Sequence, residues 1–349
     1  MTTKESAAYA AILEGLKERR SEISVDGSIS DWEALLRGAI ARDPRLIMEF
    51  TGIRTQGSER RFSYFFKYAE DAPDPSEVTC AVCYADALAA LRRAAREYRR
   101  KVFVVAGKGL DLDDCARFFL DTNGVAMPLL RSMLTDSTSF SSLPYNKHVF
   151  TLKYRLGNTK LQMMKADTEK EARRVASLLF LPDMPAAAKI YLAHNYLCRT
   201  VTYQHNAETK LEKASKQCAY GALIEKLCVC QGFAEAFQML MELGGVDCML
   251  IEGTILSSGG GHAWNLVNPD GRRWSHLDST WDSDSAHPRN RYAHFCVSDE
   301  AYRDKRSWDR NLVPTCDGDA AILDAARKYV RAHRSALLAR GVPEDVLDA

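Results

Sequence analysis

At 349 residues, 46% of them hydrophobic, the chain is long enough for two domains or one large elaborated one, with ample material for a core. Its formal charge of +1 excludes nucleic-acid binding by bulk electrostatics, and no run of eighteen apolar residues is available to cross a membrane. The start, Met1-Thr2-Thr3-Lys4-Glu5, has no hydrophobic signal core, and the ten cysteines are scattered without a regular framework. A reducing compartment, the cytoplasm, is therefore expected, unless a secretion leader has been removed.

In chain order, residues 1–184 are expected to form an N-terminal α+β region. Trp32 to Phe50 has the apolar spacing of a helical hairpin, and Phe62–Tyr68 and His148–Tyr154 alternate as strands. Helices are expected at Ala81–Arg100 and Thr168–Leu181. Leu35-Leu36-Arg37 and Leu129-Leu130-Arg131 precede the two strands, which both end in Lys-Tyr. This suggests an imperfect helix–strand–strand–helix duplication. Cys80-Ala81-Val82-Cys83 is a lone CxxC, and zinc would need two further ligands that no second pair supplies. The basic cluster Arg92, Arg93, Arg96, Arg99, Arg100 and Lys101 reads as a solvated helix face. The two prolines of Leu181-Pro182-Asp183-Met184-Pro185 mark a domain boundary.

Residues 185–318 carry the chemistry. Phe233, Phe237, Leu240 and Met241 recur at helical spacing after Gly232, and Gly244-Gly245 supplies a stop. Cys230 thus stands at a helix entrance, where unpaired backbone N–H groups and the dipole favour a thiolate. Such placement can lower a cysteine pKa from about 8.5 into the range of roughly 3.5–7.5. Cys228, two residues earlier, falls in the extended lead-in and is the weaker candidate.

Further along, His262–Val267 and Arg272–Asp278 read as two strands joined by Asn268-Pro269-Asp270-Gly271. That composition suits a three-residue hairpin loop closed by a left-handed Gly. Asn268 would then pair with Arg272 and His262 would lie opposite Asp278, about 4.5–5.5 Å apart at Cβ. A two-residue loop would instead set His262 against Leu277 and turn the pair to opposite faces. Thiol, imidazole and carboxylate are the components of a nucleophile, its base and the group that orients the base. Singly, each has a plain structural reading: an inert packed thiol, a strand histidine, a capping carboxylate. Jointly, the order, the helix entrance and the hairpin favour a triad of Cys230, His262 and Asp278.

These residues lie in segments that resemble the transglutaminase-like superfamily, particularly its bacterial members. The resemblance runs from His194-Asn195-Tyr196-Leu197 and Val201-Thr202-Tyr203 through Ala219-Tyr220-Gly221-Ala222-Leu223 to Val229-Cys230-Gln231-Gly232-Phe233-Ala234. It continues in Gly261-His262-Ala263-Trp264-Asn265, Trp274-Ser275-His276-Leu277-Asp278-Ser279-Thr280-Trp281-Asp282 and Phe295-Cys296-Val297-Ser298-Asp299-Glu300. Cys228, Leu227 and Ser275 depart from the residues more usual at their positions. The resemblance implies Cys230 as nucleophile, His262 as general base and acid, and Asp278 as its partner.

It also implies an α+β fold, a transglutaminase-like (papain-like) core with the nucleophile helix packed on an antiparallel sheet, plus an N-terminal α/β extension. The expected activity is acyl transfer on amide bonds of a protein or peptide substrate through a thioester, with hydrolysis favoured over cross-linking. The alternative is a catalytically silent interaction module of the same fold. A second oxyanion donor beside the Cys230 N–H is expected from Tyr220, which lies in the resembling segment, or from Gln217. Losing such a donor typically costs about 2.7–4 kcal/mol. His276 shares the parity of Asp278, and it and Trp264 are expected as supporting or core residues. No cofactor is expected, and without an Asp-x-Asp-x-Asp-Gly calcium loop no metal either. The double CxxC of the peptide-glycanase branch and the Arg-Gly-Gly lead of arylamine acetyltransferases are both missing. Residues 319–349 contain an Arg-rich amphipathic helix, Asp319 to Leu338, packed on the outside.

Overall fold

The computed structural model describes residues 3–26, 50–58, 61–68, 73–107, 109–112, 139–143, 146–204, 214–283, 291–311 and 313–347, with isolated positions at 36, 38, 43, 45, 133 and 134. The chain divides into two compact units, the second taking in everything from Tyr154 onward.

In the first unit α1 (Thr3–Lys17) is followed by β1 (Glu22–Asp26), β2 (Phe50–Ser58) and β3 (Arg61–Tyr68). The three strands form an antiparallel sheet with β3 at the centre. Ile12 and Leu16 of α1 are buried in one cluster with Ile23, Val25, Tyr64 and Phe66. A second sheet takes β4 (Val78–Ala81), β5 (Lys101–Ala106), β6 (Ser139–Leu143) and β7 (Lys147–Thr151) in the order β4-β5-β7-β6, with β4 and β5 parallel across α2 (Tyr84–Arg96). The strands expected at 62–68 and 148–154 are therefore β3 and β7. The first is the middle of an antiparallel sheet and the second belongs to a mixed one, so the two do not occupy equivalent places. The helix expected at 81–100 is shorter at both ends. Most of the hairpin expected at 32–50, and the segment 129–131, lie outside the described residues.

The second unit begins with α3 (Asn158–Leu179) and α4 (Ala186–Thr200). A short β8 (Thr202–Tyr203) then pairs in parallel with β9 (Leu227–Cys228). Between them lies a π-helical turn, Gly221–Glu225, closed by Lys226 at φ 56°. The central helix α5 (Cys230–Gly244) leads into β10 (Asp247–Ile255), β11 (Gly261–Asn268) and β12 (Ser275–Leu277). After α6 (Ser279–Asp282) and α7 (Asp299–Tyr302), β13 (Arg306–Trp308) completes an antiparallel sheet in the order β12-β11-β10-β13. The chain closes with α8 (Ala321–Ala332), α9 (Arg334–Ala339) and α10 (Glu344–Leu347). This is the expected α+β core. The proline pair at 182 and 185 separates α3 from α4 inside one unit; the division between the units falls after Lys153, not after residue 184. Ala326, Val330 and Leu337 of the C-terminal helices belong to the same buried cluster as α4 and α5, so residues 319–349 complete this unit.

α5 is the packing centre because its apolar residues go nearly all round it. Phe233, Ala236, Phe237, Leu240 and Met241 are buried, each large side chain contributing about 1.5–3 kcal/mol. It ends where the sequence predicts: Gly245 takes φ 66° and Val246 N–H closes back on the Met241 carbonyl at 2.9 Å, a Schellman ending. Strand alternation then sorts β11. Ala263, Asn265 and Val267 turn toward α5, where Asn265 donates to the Ala234 carbonyl at 3.0 Å. Trp264 and Leu266 turn to the other face and build a second cluster with Ile251, Tyr302 and Cys316. Among the described residues, no helix is long and apolar enough to cross a membrane.

Candidate active site

The structure brings Cys230, His262 and Asp278 together at one end of the β10–β13 sheet. Cys230 is the first residue of α5, behind Val229 at the N-cap, so its backbone N–H and that of Gln231 have no acceptor within the helix. The helix runs close to its lead-in. A Cβ on Gly232 would stand 2.9 Å from both the Cys228 sulfur and the Cys218 carbonyl. Cys228 itself is fully buried in β9 beneath the helix, where it reaches no substrate.

His262 opens β11 and is 8% exposed. Its Nε2 lies 2.7 Å from Asp278 Oδ2, and Cys230 is near enough to add to the forces that keep the ring protonated. The hairpin register differs from expectation by two residues. Asn265 pairs with Leu277, Leu266 with His276 and Val267 with Ser275, so Asp278 falls opposite Trp264 and diagonal to His262. Asp270 causes the difference: its Oδ1 accepts from the N–H groups of both Arg272 (2.9 Å) and Arg273 (2.8 Å), holding them in the turn and out of the strand. A shift of two keeps the face, so the pair still meets; the diagonal gap is within reach of an imidazole. Gly271 does take the left-handed conformation, φ 73°.

Four groups hold Asp278. It caps α6, with Oδ1 accepting from Thr280 N–H (2.9 Å) and Trp281 N–H (3.1 Å), while Oδ2 faces His262 and Arg306 Nη1, each at 2.7 Å. Burial alone would favour the neutral acid. The His262 bond and the charges of His262 and Arg306 outweigh it and hold the carboxyl well below the usual carboxylate range. Burial likewise opposes the His262 imidazolium, but the Asp278 bond and charge, with Cys230 adding to them, push it up to about 9. An imidazolium held on a buried carboxylate, with Cys230 acting on the same ring, is an arrangement in which the ring can serve as a thiol's base.

Arg306 is the residue that sequence reasoning missed. It is 1% exposed, and its guanidinium carbon lies 4.0 Å from the Tyr302 ring centre, 4.3 Å from Trp281 and 4.9 Å from Trp264. Register explains how it arrives. Arg306 faces Ile255 across β13–β10, Trp308 faces Gly253, and Gly253 faces His262. Gly253 has no side chain, and a Cβ there would run into the Ser307 carbonyl and stand 2.7 Å from Trp264 Cη2. The one sequence signal is that glycine within a strand, which marks a close approach.

The other predicted residues take different places. Trp264 is buried with its ring nearly parallel to His262, centroids 5.9 Å apart, and its indole N–H donates to His276 Nδ1 at 2.9 Å. His276 is a layer behind, its Nε2 2.8 Å from Asp299 Oδ1. His276, Asp299 and Cys316 group their ligand atoms within 4.8 Å, yet the set does not fit a metal. An indole N–H only donates, so Nδ1 carries no proton; the neutral ring then has its proton on Nε2, the atom that would have to bind. Burial also pushes His276 down to about 4, in keeping with a neutral ring.

Gln217 is exposed in the turn before Cys218. The Tyr220 hydroxyl, raised in pKa chiefly by burial, feels Glu225 and Asp167 rather than the triad. Tyr203 does feel the triad: β8 sets it beside Cys228, and its hydroxyl, raised mainly by burial, is also acted on by Cys230 and Asp278. Tyr203 and Trp281, each 37% exposed, are the exposed aromatics of this region, and Trp281 lies 5.6 Å from His262 between ring centres.

Below α6 a second set is buried. His194 of α4 lies 3.0 Å from Ser279 Oγ through Nδ1 and 3.3 Å from Asp282 Oδ2 through Nε2, with Cys198 Sγ 3.7 Å from the same nitrogen. It ties the segment bearing Asp278 to the helix layer.

Residues 174–279, all within the second unit, match the family model described as the transglutaminase-like superfamily. No curated protein matches the chain at a significant level. Similar solved structures include one of a TGase, 13% identical with a TM-score of 0.29, covering 59% of this chain and 59% of that one. Another is a candidate cysteine protease from Cytophaga hutchinsonii, 13% identical with a TM-score of 0.27, covering 42% of this chain and 63% of that one. A third is a candidate protease from Parabacteroides distasonis, 5% identical with a TM-score of 0.26, covering 66% and 40%. The chain thus spans less than two thirds of each of these structures.

Proposed function

We propose that the protein is a thiol acyl-transfer enzyme that acts on amide bonds of proteins or peptides, hydrolysing them through a thioester. The observation that carries this reading is His262 held on the Asp278 carboxylate at 2.7 Å, with Cys230 at the start of α5 acting on the same ring. With the Cys230 proton already held on His262, Sγ attacks the amide carbonyl. The oxyanion is received by the Cys230 N–H and, in place of the Tyr220 expected from sequence, the Tyr203 hydroxyl. The tetrahedral intermediate collapses as His262 gives its proton to the departing amine, leaving Cys230 acylated. Water then loses a proton to His262, adds to the thioester and releases the acid, with the proton left on His262.

Trp281 and Tyr203 would flank the acyl group without sealing it from water, which favours hydrolysis over transfer to an amine. Thiols at Cys198, Cys218, Cys228, Cys230 and Cys296, none in a disulfide, suit a reducing compartment such as the cytoplasm.

The test is a panel of peptides and amines turned over by the wild type and by Cys230→Ala, with intact-mass detection of an acyl-enzyme. Turnover and a mass adduct lost in Cys230→Ala support the proposal. A Cys230 that iodoacetamide modifies no faster than a free thiol, with no turnover across the panel, overturns it in favour of a silent binding module. Tyr203→Phe should leave alkylation intact and lower turnover by about 10²–10³.

A further inference from the structure

We propose that Arg306 is a positioning residue for the Cys230–His262–Asp278 site: its buried guanidinium fixes Asp278 Oδ2 on His262 and offsets the carboxylate's charge, so that His262 releases its proton more readily than Asp278 alone would allow. The inference rests on the triad reading above and concerns how strongly the base holds its proton.

A structural role alone does not account for the placement. A buried arginine that serves stability spreads its donors over several acceptors. Here Nη1 approaches one carboxylate oxygen at 2.7 Å, and none of the three guanidinium nitrogens has an aligned hydrogen bond. Its remaining surroundings are ring faces, those of Trp264, Trp281 and Tyr302, which accept a cation without taking its N–H groups. From β13, at the far edge of the sheet from β12, the side chain reaches the carboxylate that follows β12. Arg306 and His262 meet the same oxygen, so Nη1 lies within twice that distance of His262 Nε2, with low-dielectric rings around both.

The consequence is a charge count. The Asp278 carboxylate faces two cations, the His262 imidazolium and the Arg306 guanidinium; without Arg306 its whole charge acts on His262 and holds the imidazolium. A base held too firmly by Asp278 would keep its proton instead of passing it to the leaving amine. The other titratable groups facing the site are Cys230 from α5, Cys198 from α4, Tyr203 from β8, His276 from β12, Asp282 from α6, Tyr302 from α7 and His294 from the segment beside β12. Burial pushes His294 down to about 4, so it is neutral in the range where His262 titrates and does not replace Arg306.

The test follows the His262 ring by ¹⁵N NMR against pH in the full chain, its resonance picked from the eight histidines by its loss in His262→Asn. Arg306→Gln is expected to raise the His262 midpoint by about one pH unit or more, a tenfold or greater tightening of proton binding. Arg306→Lys keeps the charge and should leave the midpoint within about 0.3 unit while the melting temperature falls. A folded Arg306→Gln protein with an unmoved midpoint overturns the proposal. Should the Gln variant fail to fold, the Lys variant decides: a midpoint raised by a unit there also overturns it, and an unmoved midpoint supports it. If the wild-type ring itself titrates near the ordinary 6.5, the triad reading fails instead, whatever the variants do.

Discussion

Replacing Asp278 by Asn changes one oxygen for an NH2 group at a point where four donors converge. If the amide oxygen keeps the cap on Thr280 and Trp281, the NH2 group faces His262 Nε2 and Arg306 Nη1. His262 must then accept at Nε2 and carry its proton toward Cys230, the wrong tautomer for a base. If the amide flips, two N–H donors confront the backbone of α6. Either way the imidazolium loses its main support. From about 9 to the ordinary 6.5 is a loss of about 3.4 kcal/mol, or about 300-fold in the ion pair.

The Cys230 contribution to that value survives, so iodoacetamide alkylation of Cys230 at pH 7 should slow by between about ten- and 300-fold. Arg306, left buried without its carboxylate, costs a further 3–5 kcal/mol or so of stability. Melting should therefore fall by roughly 6–20 °C, which differential scanning calorimetry reads on the same samples. Alkylation within threefold of wild type, in a protein with unchanged melting temperature, would falsify the argument.

Other consequences can be checked with the same two assays. Gly253→Ala should lower stability by about 1–3 kcal/mol, because the new methyl meets the Ser307 carbonyl and Trp264, and alkylation should slow as His262 is displaced. Calorimetry with a tenfold excess of zinc should show no stabilisation of the wild type; a rise in melting temperature lost in His276→Phe would contradict the tautomer assigned to His276. Stability should have a plateau in pH. His262 has a raised pKa, so its contribution is complete below about 6.5 and is lost as pH rises through about 9; His262→Asn should flatten that alkaline limb. Asp278 has a depressed pKa, so its contribution is complete above about 4 and is lost as pH falls below that.

The meeting of Cys230, His262 and Asp278 was legible because these are chemical types placed by local rules: a helix entrance, a turn and strand parity. The helix stop at Gly245 was legible for the same reason. Register was not, because it depended on whether the Asp270 side chain or the opposite strand would take the Arg272 and Arg273 N–H groups. Only the even size of the shift preserved the pairing of His262 with Asp278. Tyr203 was within a recognised segment but was passed over for Tyr220, since its approach to Cys230 requires the parallel β8–β9 pair, a contact that no local pattern specifies. Arg306 lies furthest from sequence reasoning. Its partner follows the strand at the opposite edge of the sheet, and the two meet only once β13 has docked on β10. The domain boundary drawn at two prolines failed because proline ends a helix without ending a core.

The four-way use of Asp278 bears on how such a protein would age. The carboxylate closes a turn, balances a buried cation and orients a base, so drift at this position is punished even in a lineage that has given up chemistry. Cys230 and His262 carry no comparable obligation to the turn. A descendant recruited for binding would shed the thiol or the imidazole first and keep the aspartate. Among relatives, an intact Asp278 therefore says little about activity, whereas an altered one implies that the cation at 306 has changed with it.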